Sequence, residues 1–167
     1  MSTKNVFKED AKSKIKELAE SIGMVMLGTN FSHQPIHVVS MSTKKVDDMG
    51  AIWFLSGKDS SHNMHIEDEA RAQLFYSDPN SMEFMTVYGD AFIRTDAHIL
   101  KDLYKKADDI WFNGPDDANL TAIQIKPTEG YYWDTKSNSL VALFEAGMTL
   151  LSGDKPDLGQ EGAIDVG

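Results

Sequence analysis

The chain has 167 residues, 41% hydrophobic and 25% charged, with a formal net charge of −10 and no cysteine. That length and balance suit a single globular domain, spanning residues 1–167, with room for a real core. The acidic surface argues against a nucleic-acid partner, the lack of a Lys/Arg-rich amphipathic stretch argues against a membrane surface, and the lack of cysteine excludes disulfides, thiol nucleophiles and thiolate metal sites.

The first residues carry no apolar signal core and no apolar run is long enough to span a bilayer, so a cytoplasmic location is expected. Phe7, Ala11, Ile15, Leu18 and Ile22 recur at steps of three and four. This predicts an amphipathic helix over about 7–22, stopped by Gly23. Met24 to Thr29 and Ile36 to Thr43 read as two strands of a hairpin around the turn Asn30 to Pro35. Ala51 to Ser56, Arg71 to Ser77 and Glu83 to Thr95 read as further strands. Asp47 to Gly50 and Asp78-Pro79-Asn80 supply turn chemistry before and between them. Asp96 can cap a helix carrying Leu100, Leu103, Tyr104 and Ala107. Leu120 to Trp133 reads as a long strand, and Leu140 to Leu151 returns to helical spacing, giving a C-terminal helix at about 139–151. The Gly- and Asp-rich tail from Ser152 is expected to be loosely held. Strands this closely spaced leave little room for parallel crossovers, so an antiparallel barrel, mainly β with inserted helices, is expected.

The strand–turn–helix from Ala51 to Glu67 is the best candidate for a site. Alternation puts Trp53 and Leu55 on one face of the strand and Phe54 and Ser56 on the other. Gly57 permits a tight exit, and Asp59, Ser60 or Ser61 can cap the helix that follows. A helix start offers free N–H groups and partial positive charge, which suit a phosphate. Ser60, Ser61 and a protonated His62 would add donors. The ordinary alternative is a capped helix with Asp59 itself filling the anion position. His62 and His65 lie three apart, but the strong i, i+4 zinc pattern with its adjacent Glu is missing. His33 and His37 lie on another hairpin, so solvated histidines and no metal are expected. No nucleophile elbow, phosphate loop or dinucleotide fingerprint occurs, and Asp47-Asp48 and Asp116-Asp117 read as solvated turns. Trp111-Phe112 and Tyr131-Tyr132-Trp133 are aromatic clusters suited to a core, an interface or the wall of a flat ligand.

One ordered set of residues carries a family resemblance. It runs through Met24 to Thr29, Val39-Ser40-Met41, Trp53-Phe54-Leu55-Ser56, Asp59 to His62 and Gly89-Asp90-Ala91. It continues through Trp111-Phe112 with Gly114 and Asp117, Tyr132-Trp133-Asp134, and Pro156 to Gly159. Over nearly its whole length the chain resembles the general stress proteins of the pyridoxamine phosphate oxidase-like FMN-binding split barrels. The resemblance implies a six-stranded antiparallel split β-barrel with flanking helices, and a homodimer holding FMN in clefts between subunits. The flavin ring would lie by Val39, Ser40 and Met41. Its phosphate would meet the turn after Trp53, Phe54, Leu55 and Ser56 and the helix start at Ser60, Ser61 and His62. The implied activity is oxidoreduction, passing electrons from a reduced nicotinamide to a small acceptor. The alternative is a non-enzymatic flavin- or haem-binding stress protein. Two departures bear on this choice: Val39-Ser40-Met41 stands where the family carries Arg-Pro-Met, and His62 stands where it carries Lys. Lys44, Lys45, Lys58 and protonated His62 are the cations that could compensate. Pyridoxamine phosphate oxidation itself is not expected, because the late Arg and His of that enzyme have no counterpart near Tyr131 to Asp134.

Overall fold

The computed structural model describes residues 1–135 and 159–167. The expected helix at 139–151 and residues 152–158 of the tail lie outside them. In chain order the elements are β1 (Ser2–Thr3), β2 (Val6–Phe7), α1 (Lys8–Ile22), β3 (Met24–Thr29), β4 (His37–Ser42), β5 (Lys45–Val46) and β6 (Ile52–Gly57). Then follow α2 (Ser61–Asp68), β7 (Arg71–Asp78), β8 (Glu83–Arg94), α3 (Ala97–Leu103), a 3-10 helix (Lys106–Ile110), β9 (Leu120–Asp134) and β10 (Gln160–Asp165).

The described residues form a strand-dominated α+β split barrel flanked by three α-helices. β4, β3, β7, β8 and β9 follow one another in antiparallel ladders. β9 is long enough to serve two neighbours besides β8. Its first half pairs with β6, from Leu120↔Gly57 to Ile125↔Ile52, and its second half pairs with β10, from Glu129 to Asp134. β4 comes close to β6 without a ladder between them, which leaves the barrel split.

The described residues thus form ten strands rather than the six expected, and the sheet is mixed. β1 and β2 run parallel to β10. The tail is correspondingly not loose where it is described. Residues 160–165 are zipped between β9 and the N-terminal segment, Tyr132 donates its hydroxyl to the Lys4 carbonyl at 2.6 Å, and Ile164 is buried. Phe7 belongs to β2 and is exposed; Val6 points inward instead.

α1 forms where its period predicts. It buries Ala11, Ile15, Leu18 and Ala19 against the barrel, and Gly23 closes it at φ 75° with its N–H on the Ala19 carbonyl. Each buried Ile or Leu contributes about 1.5–3 kcal/mol. Lys14 adds an ion pair to the half-buried end of β9, at 2.9 Å from Asp134. Burial alone would lower the Lys14 pKa, but its bonds to Glu17 and Asp134 outweigh this and hold it above the ordinary lysine range. The main core joins α1, β3, β6, β7, β8 and β9 around Phe54, Leu27, Leu74, Met85 and Ile123. A second apolar cluster, Trp53, Leu100, Leu103, Leu120 and Ala122, seats α3 on the opposite face of β6. Asp96 caps α3, accepting from the N–H groups of His98 and Ile99, and the helix ends before Tyr104.

Candidate functional site

β6 alternates as its sequence demands. Trp53 and Leu55 face the α3 cluster, Phe54 lies fully buried in the main core, and Ser56 is buried beneath α2. The Trp53 indole donates to Asp47 Oδ2 at 2.8 Å, while Asp47 Oδ1 accepts from the N–H groups of Met49 and Ala51. Asp47 therefore organises its turn and is not merely solvated. Asp117 does the same for the loop after Trp111, accepting from Asn113 and Asn119 N–H groups, which hold its carboxyl below the usual range.

At the exit of β6, Gly57 accepts the Ser60 N–H and the chain turns into α2. Ser60, rather than Asp59, is the N-cap: its Oγ accepts the Asn63 N–H at 3.3 Å. The N–H groups of Ser61 and His62 lie in the first turn, beyond reach of intrahelical carbonyls, and Ser61 is exposed. The helix is pinned from below. Asn63 is buried and donates to Thr121 Oγ1 at 2.9 Å; Thr121 in turn donates to the Ser56 carbonyl and meets Ser56 Oγ at 2.7 Å. Ile66 seals the same face against the main core.

His33 is exposed as expected, but His37, His62 and His65 are packed together and partly buried. The hairpin register sets His37 opposite Thr29, with Val39 and Met41 following it on the inner side of β4. α2 lays His62 and His65 against this end of the hairpin. The His37 and His65 rings meet edge-on with centroids 4.9 Å apart, and His37 and His62 lie near-parallel at 6.4 Å. His65 Nδ1 sits 3.1 Å from Thr29 Oγ1. His37 Nδ1, His62 Nε2 and Asn63 Oδ1 are buried without partners. Desolvation, and behind it the neighbouring His37 and His65, hold the His62 pKa below the ordinary histidine range. Among the described residues no three His, Asp or Glu side chains are arranged to hold a metal ion.

The other expected cations are engaged elsewhere or stand apart. Lys44 is bound by both Asp108 oxygens at 2.7 and 2.9 Å, and Lys45 is paired with Asp102. Lys58 is exposed, with its backbone N–H on Asn119. Ser40 is exposed on the outer face of β4, opposite Met26. The structure thus gathers Ser60, Ser61 and His62 at one corner, sets Val39 and Met41 on the inner side of the neighbouring strand, and adds His37 and His65, which sequence reasoning left aside. Their signal was present: His37 continues the inward alternation of Val39 and Met41, and His65 lies one turn from His62. A separate open cleft of about 530 Å³ lies by α3, between Trp53, Arg94, Asp96, Ile99 and Gln124.

The family model for pyridoxamine 5'-phosphate oxidase-like proteins matches residues 10–157. The chain belongs to this family. A proposed general stress protein 26 from Jannaschia sp. CCS1 superimposes with a TM-score of 0.79 at 22% identity, over 93% of this chain and 98% of that one. The general stress protein 26 of Bacillus anthracis str. Sterne gives 0.64 at 21% identity, over 72% and 92%. A general stress FMN/FAD binding protein from Xanthomonas citri gives 0.64 at 21%, over 76% and 89%. At these identities the likeness is one of fold. No curated protein matches the chain. No helix among the described residues is long and apolar enough to cross a membrane.

Proposed function

We propose that this family member is a cytoplasmic, homodimeric FMN-binding flavoprotein of the general stress type, passing electrons from a reduced nicotinamide to a small acceptor. The observation that carries the reading is the corner at α2. A Ser60-capped helix start with exposed N–H groups stands beside an imidazole, His62, whose buried Nε2 has no partner. Such a corner suits a phosphate, which accepts from backbone N–H groups and from an imidazole N–H alike. Val39 and Met41 offer apolar support for a flat ring on β4. The Xanthomonas citri neighbour, named as an FMN/FAD binding protein, lends support at the level of the fold. The flavin would carry the redox chemistry, and the chain would bind and orient it and exclude water around it.

A second reading, flavin or haem binding without turnover, draws on a specific observation. Lys44 and Lys45, which could have compensated for the family's missing cations, are held in ion pairs. Losing two charge-assisted contacts of about 1.5–3 kcal/mol each weakens binding by roughly two to four orders of magnitude. A visible titration with FMN and with riboflavin, followed by a reduced-nicotinamide assay, decides. The flavoprotein reading expects a yellow complex with FMN, at least tenfold weaker binding of riboflavin, and steady nicotinamide oxidation. Equal binding of the two flavins would overturn the phosphate corner, and tight binding without turnover would favour the second reading.

A further inference from the structure

The composition of the histidine cluster is peculiar. His37 comes from β4, and His62 and His65 from α2, with the His37 ring meeting both of the others. Thr29 of β3 contributes only a hydroxyl, to His65. Glu69, just past α2, is turned to Ser32. β8 also packs on α2, but among the described residues the titratable groups that bear on His62 are the two other imidazoles. A carboxylate beside a histidine would favour its protonated form, and none acts here. At His62 burial opposes a proton, and the two neighbouring imidazoles oppose it further. The ring nitrogens do not converge on a cation position. Two of them, His37 Nδ1 and His62 Nε2, nevertheless remain buried and unpartnered, and His62 itself lies in the first turn of α2. An anion would reverse this balance at His62, since it stabilises an imidazolium and accepts its N–H.

We propose that the His37–His62–His65 cluster captures a phosphomonoester dianion with uptake of a proton from solvent, the imidazole of His62 becoming an imidazolium as the dianion binds. This rests on the phosphate corner proposed above and adds its mode of control. A lysine or arginine brings a fixed charge; this cluster acquires its charge on binding, and affinity becomes a function of pH.

Two probes test it: FMN, and inorganic phosphate, which needs no flavin site. Calorimetry of FMN binding near pH 7.5, in two buffers of different ionisation enthalpy, is expected to show uptake of about one proton. Affinity is expected to fall by about tenfold per pH unit above the histidine range. In ring-proton NMR of the wild-type protein, inorganic phosphate should raise the titration midpoint of His62 and of at least one of its neighbours. His62→Lys should retain FMN binding while losing the proton uptake and flattening the pH slope. FMN binding that is flat from pH 5.5 to 8.5 without proton uptake would overturn the proposal and leave the flavin reading standing. Phosphate-raised histidine midpoints in a protein that takes no flavin would do the reverse. Histidine midpoints unmoved by either probe would overturn both.

Discussion

Burial of His62 beneath the β3–β4 hairpin lowers its pKa, with desolvation the larger cause and the adjoining His37 and His65 the lesser. The consequence for the ligand-free protein has a definite sign. The unfolded chain binds this proton at the ordinary histidine value of about 6.5, whereas the folded chain resists it until lower pH. Below that value the unfolded state holds more protons, so the stability His62 allows is fully present above about pH 6.5 and is lost as the pH falls. Many carboxylates also contribute in acid, so the comparison must be internal. We expect urea midpoints of the ligand-free wild type to drop more between pH 7.5 and 5.5 than those of His62→Gln, whose side chain takes no proton. Parallel losses in the two proteins would show that His62 titrates as a solvated histidine. The residue beside it in α2 holds the cluster in place. Asn63 spends its amide on Thr121, tying the helix that carries His62 and His65 to β6 and β9.

At the scale of elements, β8 and β9 run together for twelve residues with one irregularity, a register shift at Tyr88/Gly89. A Cβ on Gly89 would fall within the contact distance of the Lys126 carbonyl and the Pro127 backbone. Gly89→Ala therefore requires the two strands to part at the bend that lets β9 leave β6 for β10. Backbone shifts of this kind cost about 1–3 kcal/mol, readable as a lower urea midpoint at unchanged slope. A midpoint equal to wild type would mean the bend accommodates the methyl. The same elements show what was legible in the sequence. β3, β4, β6, β7, β8 and α1 announced themselves through local period, as did the capping of α3 by Asp96, because each depends on near neighbours in the chain. β1, β2 and β10 did not, because two-residue strands and a Gly- and Asp-rich tail gain order only from partners distant in sequence, as in Ser2↔Gln160 and Gly162↔Tyr132. The site divided in the same way. Ser60 and His62 were visible as a helix start, whereas His37 joined them only through the Thr29↔His37 register and the docking of α2. Lys44 and Lys45 looked free in sequence, and the carboxylates that engage them, Asp108 and Asp102, lie about sixty residues on.

On the whole molecule, the described residues leave an apolar stretch exposed on one sheet face. Met24 and Met26 on β3, Val38 on β4 and Phe75 on β7 are 56%, 42%, 41% and 38% exposed. The ladders set Met26 beside both Phe75 and Ser40, and Met24 beside Ser42, so these side chains share one surface. Such a patch on a chain of net charge −10 suits a second copy, because two acidic molecules meet most readily where apolar side chains rather than carboxylates face each other. Repulsion between the rest of the two surfaces is screened within about 8 Å at physiological salt. Association through this face should therefore strengthen as salt rises from 10 to 200 mM, whereas one held by ion pairs would weaken. Light scattering during gel filtration is expected to give a dimer at micromolar concentration. Met26→Glu with Phe75→Glu should give a monomer with unchanged far-ultraviolet circular dichroism, because both side chains point away from the core. Val39 and Met41 lie on the same strand as Val38 and Ser40, so a ring held by β4 would sit beside this contact, and the monomeric variant should also bind FMN more weakly. A wild type that stays monomeric at every salt concentration, or a charged variant that remains dimeric, would show that the face has another use.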